Sequence, residues 1–141
     1  MSEQAVFNKD IYVRATRKLM TRRLTVLDGE SVALLATADG RLCVSTCESQ
    51  EEATSRQAAF SSALMSLSQR FCQEVLGSQN GEIALSCLKG NAVIVRLELG
   101  GKPYQLCVAS GEQNNLATVI RIARDMGEMM TNLPHDTHRY T

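Results

Sequence analysis

The chain has 141 residues, a formal net charge of zero and no tryptophan. That length suits one domain with a real core, and the charge balance offers no bulk attraction for nucleic acid. No apolar run is long enough to cross a membrane, and the opening MSEQAVFNKDIY lacks the basic-then-apolar layout of a secretion signal, so a cytoplasmic protein is expected.

Residues 1–7 and 134–141 read as flexible ends around one domain over 8–133. The charge is unevenly placed. Lys9, Arg14, Arg17, Lys18, Arg22 and Arg23 face only Glu3 and Asp10 in residues 1–25, a balance of +4, so the remainder carries −4. Asn8 to about Leu27 is predicted to be a first helix, with Asn8 as N-cap and Asp-Gly at 28–29 as its stop. Ile11, Ala15, Leu19 and the stem of Arg22 set its apolar face, widened by Tyr12, Met20 and Leu24. Ser31–Thr37 is an apolar strand. Ala38-Asp39-Gly40-Arg41 is a hairpin turn, and Leu42–Cys47 is the returning strand.

Ser49 to Gly77 is predicted to be one long helix. Ser49 and Glu52 have capping-box spacing, and Gly77 stands at the C′ position. At about 100° per residue, Ala53, Phe60, Leu64, Leu67, Phe71 and Val75 form one apolar stripe. Ala58, Met65, Cys72 and Leu76 form another roughly 120° away, and Arg56, Ser62, Ser66, Arg70, Gln73 and Glu74 fill the remaining arc. A helix lying on one sheet needs one apolar stripe, so this helix is expected to touch a sheet and something else. Either stripe could face the sheet.

Three strands follow, at Glu82–Leu88, Ala92–Leu99 and Tyr104–Ser110, joined by short turns as an antiparallel meander. A last helix starts at Asn114 or Asn115 and stops before Pro134. Leu116, Val119, Ile120, Ala123 and Met130 make its face, extended by Ile122, Met126 and Met129. The fold class is α+β: a five-stranded antiparallel sheet with helices on both faces, in the order α-β-β-α-β-β-β-α.

Catalytic chemistry finds little support. The only histidines, His135 and His138, lie after Pro134, away from any nucleophile that they could activate. The five cysteines form no CxxC pair, and Cys43 and Cys47 would lie about 13 Å apart along a strand, too far for a disulfide or a shared metal. Gly100-Gly101-Lys102 is a hairpin turn, because no phosphate-loop spacing or helix accompanies it. No cofactor or metal is expected. Arg17 and Arg22 on the basic first helix read either as a solvated face or as a contact for an acidic partner or a membrane surface.

The strongest signal is apolar surface without a partner. The strand Glu82–Leu88 opens a meander and carries little charge, so one of its edges is open to pairing with a copy of itself across a two-fold axis. The expected dimer interface is Phe60, Leu64, Met65, Leu67, Phe71 and Cys72 with Ile83, Ala84, Leu85 and Ser86.

The hairpin LLATADGRLCVST, the central helix EEATSRQAAFSSALMSLSQRF, the meander GEIALSCLKGNAVIVRLELGGKPYQLCVAS and the final helix NNLATVIRIARDM together resemble the Roadblock / dynein light chain superfamily, over residues 8–132. Ala117 stands where that family often has glycine, and the first helix is longer and more basic. The resemblance implies a profilin-like fold and a non-catalytic homodimer joined through the second helix and third strand. It also implies binding of a small Ras-like GTPase, without an arginine finger of the regulator's own, or an adaptor role. Arg56, Arg70, Gln73 and Glu74 are the first candidate partner contacts. A structural adaptor or secretion-chaperone-like dimer that binds peptide segments is the alternative. A small-molecule sensor using the space between sheet and helix is a third reading.

Overall fold

A computed structural model describes residues 10–133. The flexible ends expected at 1–7 and 134–141, the Asn8 cap, the Pro134 stop and both histidines lie outside these residues. The elements are α1 (Asp10–Leu24), β1 (Ser31–Thr37), β2 (Leu42–Ser45), α2 (Glu51–Leu76), β3 (Glu82–Cys87), β4 (Gly90–Leu99), β5 (Lys102–Gly111) and α3 (Leu116–Thr131). All strand pairs are antiparallel, and the sheet order is β2-β1-β5-β4-β3. The predicted element order and α+β class are what the structure has.

The sheet divides two layers. On one face α1 and α3 bury Met20, Leu24, Val119, Ile122, Met126 and Met130 against Leu35, Val44, Val93, Leu97, Leu106 and Val108. On the other, α2 sets Ala58 against Leu34 and Ala36, with Leu42 and Cys107 alongside. The main core is therefore on the α1–α3 face, and the α2 face is thinner and built from smaller side chains.

Several local expectations are corrected. The inward face of α1 is Tyr12, Thr16, Met20 and Leu24, a rotation of one residue from the Ile11–Ala15–Leu19 stripe, and Ile11 is 74% exposed. The rotation lets the bulkier Tyr12 and Met20 fill the core and leaves the Thr16 hydroxyl buried without a partner. The helix ends at Leu24, and Leu27 is buried from the turn that follows. In β2 the register against β1 slips between Leu35 and Ala36, so the pairs Leu35–Val44 and Ala36–Leu42 leave Cys43 as the extra residue of a bulge. Simple alternation therefore fails there, and the strand stops at Ser45. The strand β3 ends at Cys87. Gly90, expected in a turn, opens β4 instead; its φ is +150°, and a Cβ there would collide with the Ser110 carbonyl oxygen. Met129 points outward, 43% exposed.

Polar side chains pin the loops and the edge strand on the α1–α3 side. Asn114 is buried; its Oδ1 accepts from the Asp28 backbone N–H at 3.0 Å and its Nδ2 donates to the Asp28 carbonyl at 2.8 Å, tying the α1–β1 loop to the start of α3. Asn115 is the cap of α3, and its side chain accepts from Thr118 N–H. The edge strand β3 is held to α3 by Arg124, whose Nε and Nη2 donate to the two Glu82 carboxylate oxygens at 2.8 and 2.7 Å. That paired hydrogen bond holds the Glu82 carboxyl below its ordinary value of 4.5. Its contribution to stability is complete above that ordinary value and is lost as the pH falls through the lowered one. In urea unfolding followed from pH 6 to pH 3, Glu82→Gln is expected to be less stable than the parent at pH 6. The difference should close as the solution becomes more acidic.

Candidate functional site: an unpaired strand edge beside an apolar helix flank

Which stripe of α2 meets the sheet is settled by burial. Thr54, Ala58, Ser61 and Met65 are the buried residues of the helix, with Cys72 half-buried further along the same line. Thr54 and Ser61 satisfy their hydroxyls within the helix, on the Gln50 and Gln57 carbonyls, so small polar residues can lie in the seam at little cost. The seam is the Ala58–Met65–Cys72 stripe. Met65 is 2% exposed, so it belongs to the protomer core and is unavailable to a dimer partner; this corrects its expected place in the interface. Leu76, expected in the same stripe, is exposed. Gln50, rather than Ser49, is the N-cap, and no side chain caps the helix there. Gly77 does close it, at φ +71°, with its N–H on Gln73 and that of Ser78 on Cys72.

The other stripe is uncovered. Phe60, Leu67 and Phe71 are each 63–65% exposed, and Leu64 and Val75 continue the row. After Met65 no residue of α2 is fully buried, and only Ser68, Gln69 and Cys72 are half-buried, so the last eleven residues, about 16 Å of helix at 1.5 Å per residue, are held more lightly than the first fifteen. An exposed apolar row of this length marks a contact.

Three hydrogen bonds show which way the row looks. Ser62 Oγ donates to the Ala38 carbonyl in the β1–β2 turn at 2.6 Å, so that flank of α2 faces the β2 edge. Asn80 Nδ2 donates to Ser68 Oγ at 2.6 Å and to the Glu82 carbonyl at 2.9 Å, so the opposite flank faces β3. Phe60, Leu64, Leu67 and Phe71 are on the Ser68 flank by helical angle, and hence beside β3.

The two sheet edges differ. β2 is short and bulged, and Arg17 closes its end: Nε donates to the Ser45 carbonyl at 2.9 Å and lies 3.6 Å from the Glu48 carboxylate. These are the devices that keep an edge from pairing. β3 has neither. Arg96 N–H donates to the Gly81 carbonyl, which with the β3–β4 register turns the backbone groups of Ala84 and Ser86 outward. Ala84, Leu85 and Ser86 are exposed, and Ile83 is half-buried. Glu82 points to α3, so Ile83 and Leu85 project to the opposite, α2 side of the sheet, beneath the uncovered row.

The partner-contact candidates separate into groups. Arg70, Gln73 and Glu74 line an open groove of about 430 Å³ with Ser66, Gln69 and Gln79, on the flank of α2 away from the apolar row. Arg56 is exposed but lies about 21 Å nearer the helix start than Arg70, so the four do not form one patch. Arg17 and Arg22 are on the other face of the sheet. Arg17 is occupied by Ser45 and Glu48, and Arg22 is exposed. A second groove, of about 560 Å³, runs between the start of α2 and the sheet, bordered by Val32, Thr46, Thr54, Lys89 and Ala109.

Among the described residues no group of three or more His, Cys, Asp or Glu is placed to hold a metal, and no helix is long and apolar enough to cross a membrane. All five cysteines are free. Burial pushes the Cys43 thiol up to about 11 and raises that of Cys107, which keeps both protonated and poor nucleophiles.

No family model matches the sequence, and no curated protein matches it. The fold is well represented among solved structures, of which 35 chains match. MglB of Myxococcus xanthus aligns over 87% of this chain and 90% of its own, with a TM-score of 0.71 at 13% identity. A Roadblock/LC7 domain from Streptomyces avermitilis aligns over 80% and 92%, with a TM-score of 0.67 at 17% identity. The gliding protein MglB of Thermus thermophilus aligns over 84% and 87%, with a TM-score of 0.68 at 13% identity. At these identities the likeness establishes the fold, which is that of Roadblock domains.

The burial pattern makes opposite demands on two neighbouring positions. Met65→Asp places an unpaired charge in the seam and should unfold the protomer or destabilise it by roughly 3 kcal/mol or more. Leu67→Asp should leave the circular dichroism spectrum of the folded protein intact while abolishing any self-association.

Proposed function

We propose that this protein is a non-catalytic homodimeric regulator or scaffold for a small Ras-like GTPase. The observation that carries the dimer is the adjacency of two unmet needs: the outward backbone groups of Ala84 and Ser86, and the uncovered row Phe60–Leu64–Leu67–Phe71 above the same edge. A second copy related by a two-fold axis meets both at once. Its β3 continues the sheet, and its α2 covers Leu85 and the apolar row. The interface then comprises Phe60, Leu64, Leu67 and Phe71 with Ile83 to Ser86, and Met65 stays in the protomer.

The GTPase follows from the resemblance to Roadblock proteins, which act on such partners without chemistry of their own. The groove at Arg70, Gln73 and Glu74 is the surface for it, because it stays open when the opposite flank of α2 is in the dimer. Arg70 serves there as a binding contact.

Light scattering at micromolar concentration is expected to give twice the protomer mass for the parent and the protomer mass for Leu67→Asp. Mixed with the small GTPases of the same genome, the parent should form a nucleotide-dependent complex with one of them. Arg70→Glu should weaken that complex by roughly tenfold, about 1.4 kcal/mol. A dimer that forms no nucleotide-dependent complex with any of those GTPases would remove the GTPase from this reading and leave the assembly.

A further inference from the structure

The helix α1 uses its cations in two ways. Arg17 and Arg23 turn inward and meet carboxylates, Glu48 at 3.6 Å and Asp125 at 3.4 Å. Arg14, Lys18 and Arg22 do not. They stand at i, i+4 and i+8 on the outermost line of the helix, a row about 12 Å long. All three are exposed, and none takes part in the ion pairs formed among the described residues. Arg14 reaches only the Asp10 backbone carbonyl, at 3.4 Å. Ile11, 74% exposed, and Val26, 54% exposed, bracket the row with aliphatic surface. On α3 the exposed charges nearly cancel, because Arg124 is matched by Glu82, and Arg121 is offset by Glu128. Asp10, exposed at the head of the same line, offsets one of the three charges, so the α1 row carries a net positive charge concentrated at Lys18 and Arg22.

The position of the row gains meaning in the edge-paired dimer, on which its doubling rests. A two-fold axis that joins two β3 edges into one sheet runs perpendicular to that sheet, so each face maps onto itself. Both α2 helices gather on one face. Both α1 helices lie on the other and point the same way. The dimer thus carries two parallel-facing cationic ridges on one side and its apolar joint on the other.

We propose that this side of the dimer is a peripheral membrane contact that binds the anionic phospholipid headgroups of a bilayer surface. The row is a crest rather than a recess, which suits a plane better than a protruding peptide. Two crests facing one way can engage one plane together, and the second contact is made at high effective concentration. The flanking Ile11 and Val26 add apolar contact at the headgroup boundary. With a net charge of zero the chain has no bulk attraction to anionic lipid, so binding rests on this face, and as an exposed electrostatic contact it weakens with salt.

Sedimentation of the full chain with vesicles tests this. The expected result is binding to vesicles of 30% phosphatidylserine in phosphatidylcholine at 50 mM salt, weaker binding at 300 mM, and none to pure phosphatidylcholine. Each cation is worth roughly fivefold in partitioning, so Arg14→Gln, Lys18→Gln and Arg22→Gln together should lower it on the order of a hundredfold or more, with the circular dichroism spectrum unchanged. Equal binding to both vesicle types, an unaffected triple variant or no binding at 50 mM salt would overturn the proposal. So would binding of the row to polyglutamate without binding to vesicles, which would assign it to an acidic protein. Light scattering on the same samples separates this from the dimer. A monomeric parent that still binds through the row upholds the membrane contact and refutes the dimer. A dimeric parent that ignores anionic vesicles does the reverse.

Discussion

The narrowness of the seam between α2 and the sheet governs the rest of the molecule. A 26-residue helix is held down by Thr54, Ala58, Ser61 and Met65, all within its first fifteen positions. Small residues let the helix sit close to the strands, and a close helix has no room beneath it for Phe60, Leu67 or Phe71. Those side chains are displaced to the flank, where the protomer has nothing to cover them. The same geometry leaves the distal half of the helix lightly held, with only Ser68, Gln69 and Cys72 half-buried. One packing choice thus produces the thin α2 face, the apolar flank and the exposed end with its Arg70–Glu74 groove.

The sheet supplies the complement. Its two edges are treated unequally: β2 is closed by a bulge and by Arg17, and β3 is left open under the apolar flank. Glu82 and Asn80 secure the first residue of β3, from the α3 side and from α2 respectively, so the start of the open edge is fixed. A strand fixed at its start and unpaired along its side is suited to joining, because little ordering entropy remains to be lost on association. Beneath both layers lies the larger core of the α1–α3 face, which keeps the protomer folded whatever happens at the edge.

Most of the architecture was legible in the sequence, for identifiable reasons. Asp39-Gly40 and Gly100-Gly101 mark turns, strand alternation is regular through Glu82–Leu99, and Gly77 and Asn115 close and open their helices where the pattern places them. The choice of stripe on α2 was not legible. Both stripes are apolar, and intuition favours the one with two phenylalanines for the core, whereas the sheet took the one with alanine and serine. The signal was side-chain size: a seam of Thr, Ala and Ser permits a close approach that aromatic residues forbid. On α1 the buried Thr16 hid the true face, because a polar residue interrupts the row that Tyr12, Met20 and Leu24 otherwise announce. The β2 bulge left no mark, since Cys43 and Val44 both pass for strand residues. The candidate contacts Arg56 and Arg17 share a residue type with Arg70 and Arg22 but not a location, which only the fold reveals.

The central claim is that the open edge of β3 is filled by a second copy. Amide hydrogen exchange at Ala84 and Ser86 reads it most directly, because those N–H groups have no partner in the isolated protomer. The account predicts that both amides are protected at high protein concentration, and that protection is lost on dilution and in Leu67→Asp while the β4 and β5 amides stay protected. Rapid exchange at both positions at every concentration, in a protein that is otherwise folded, would contradict it.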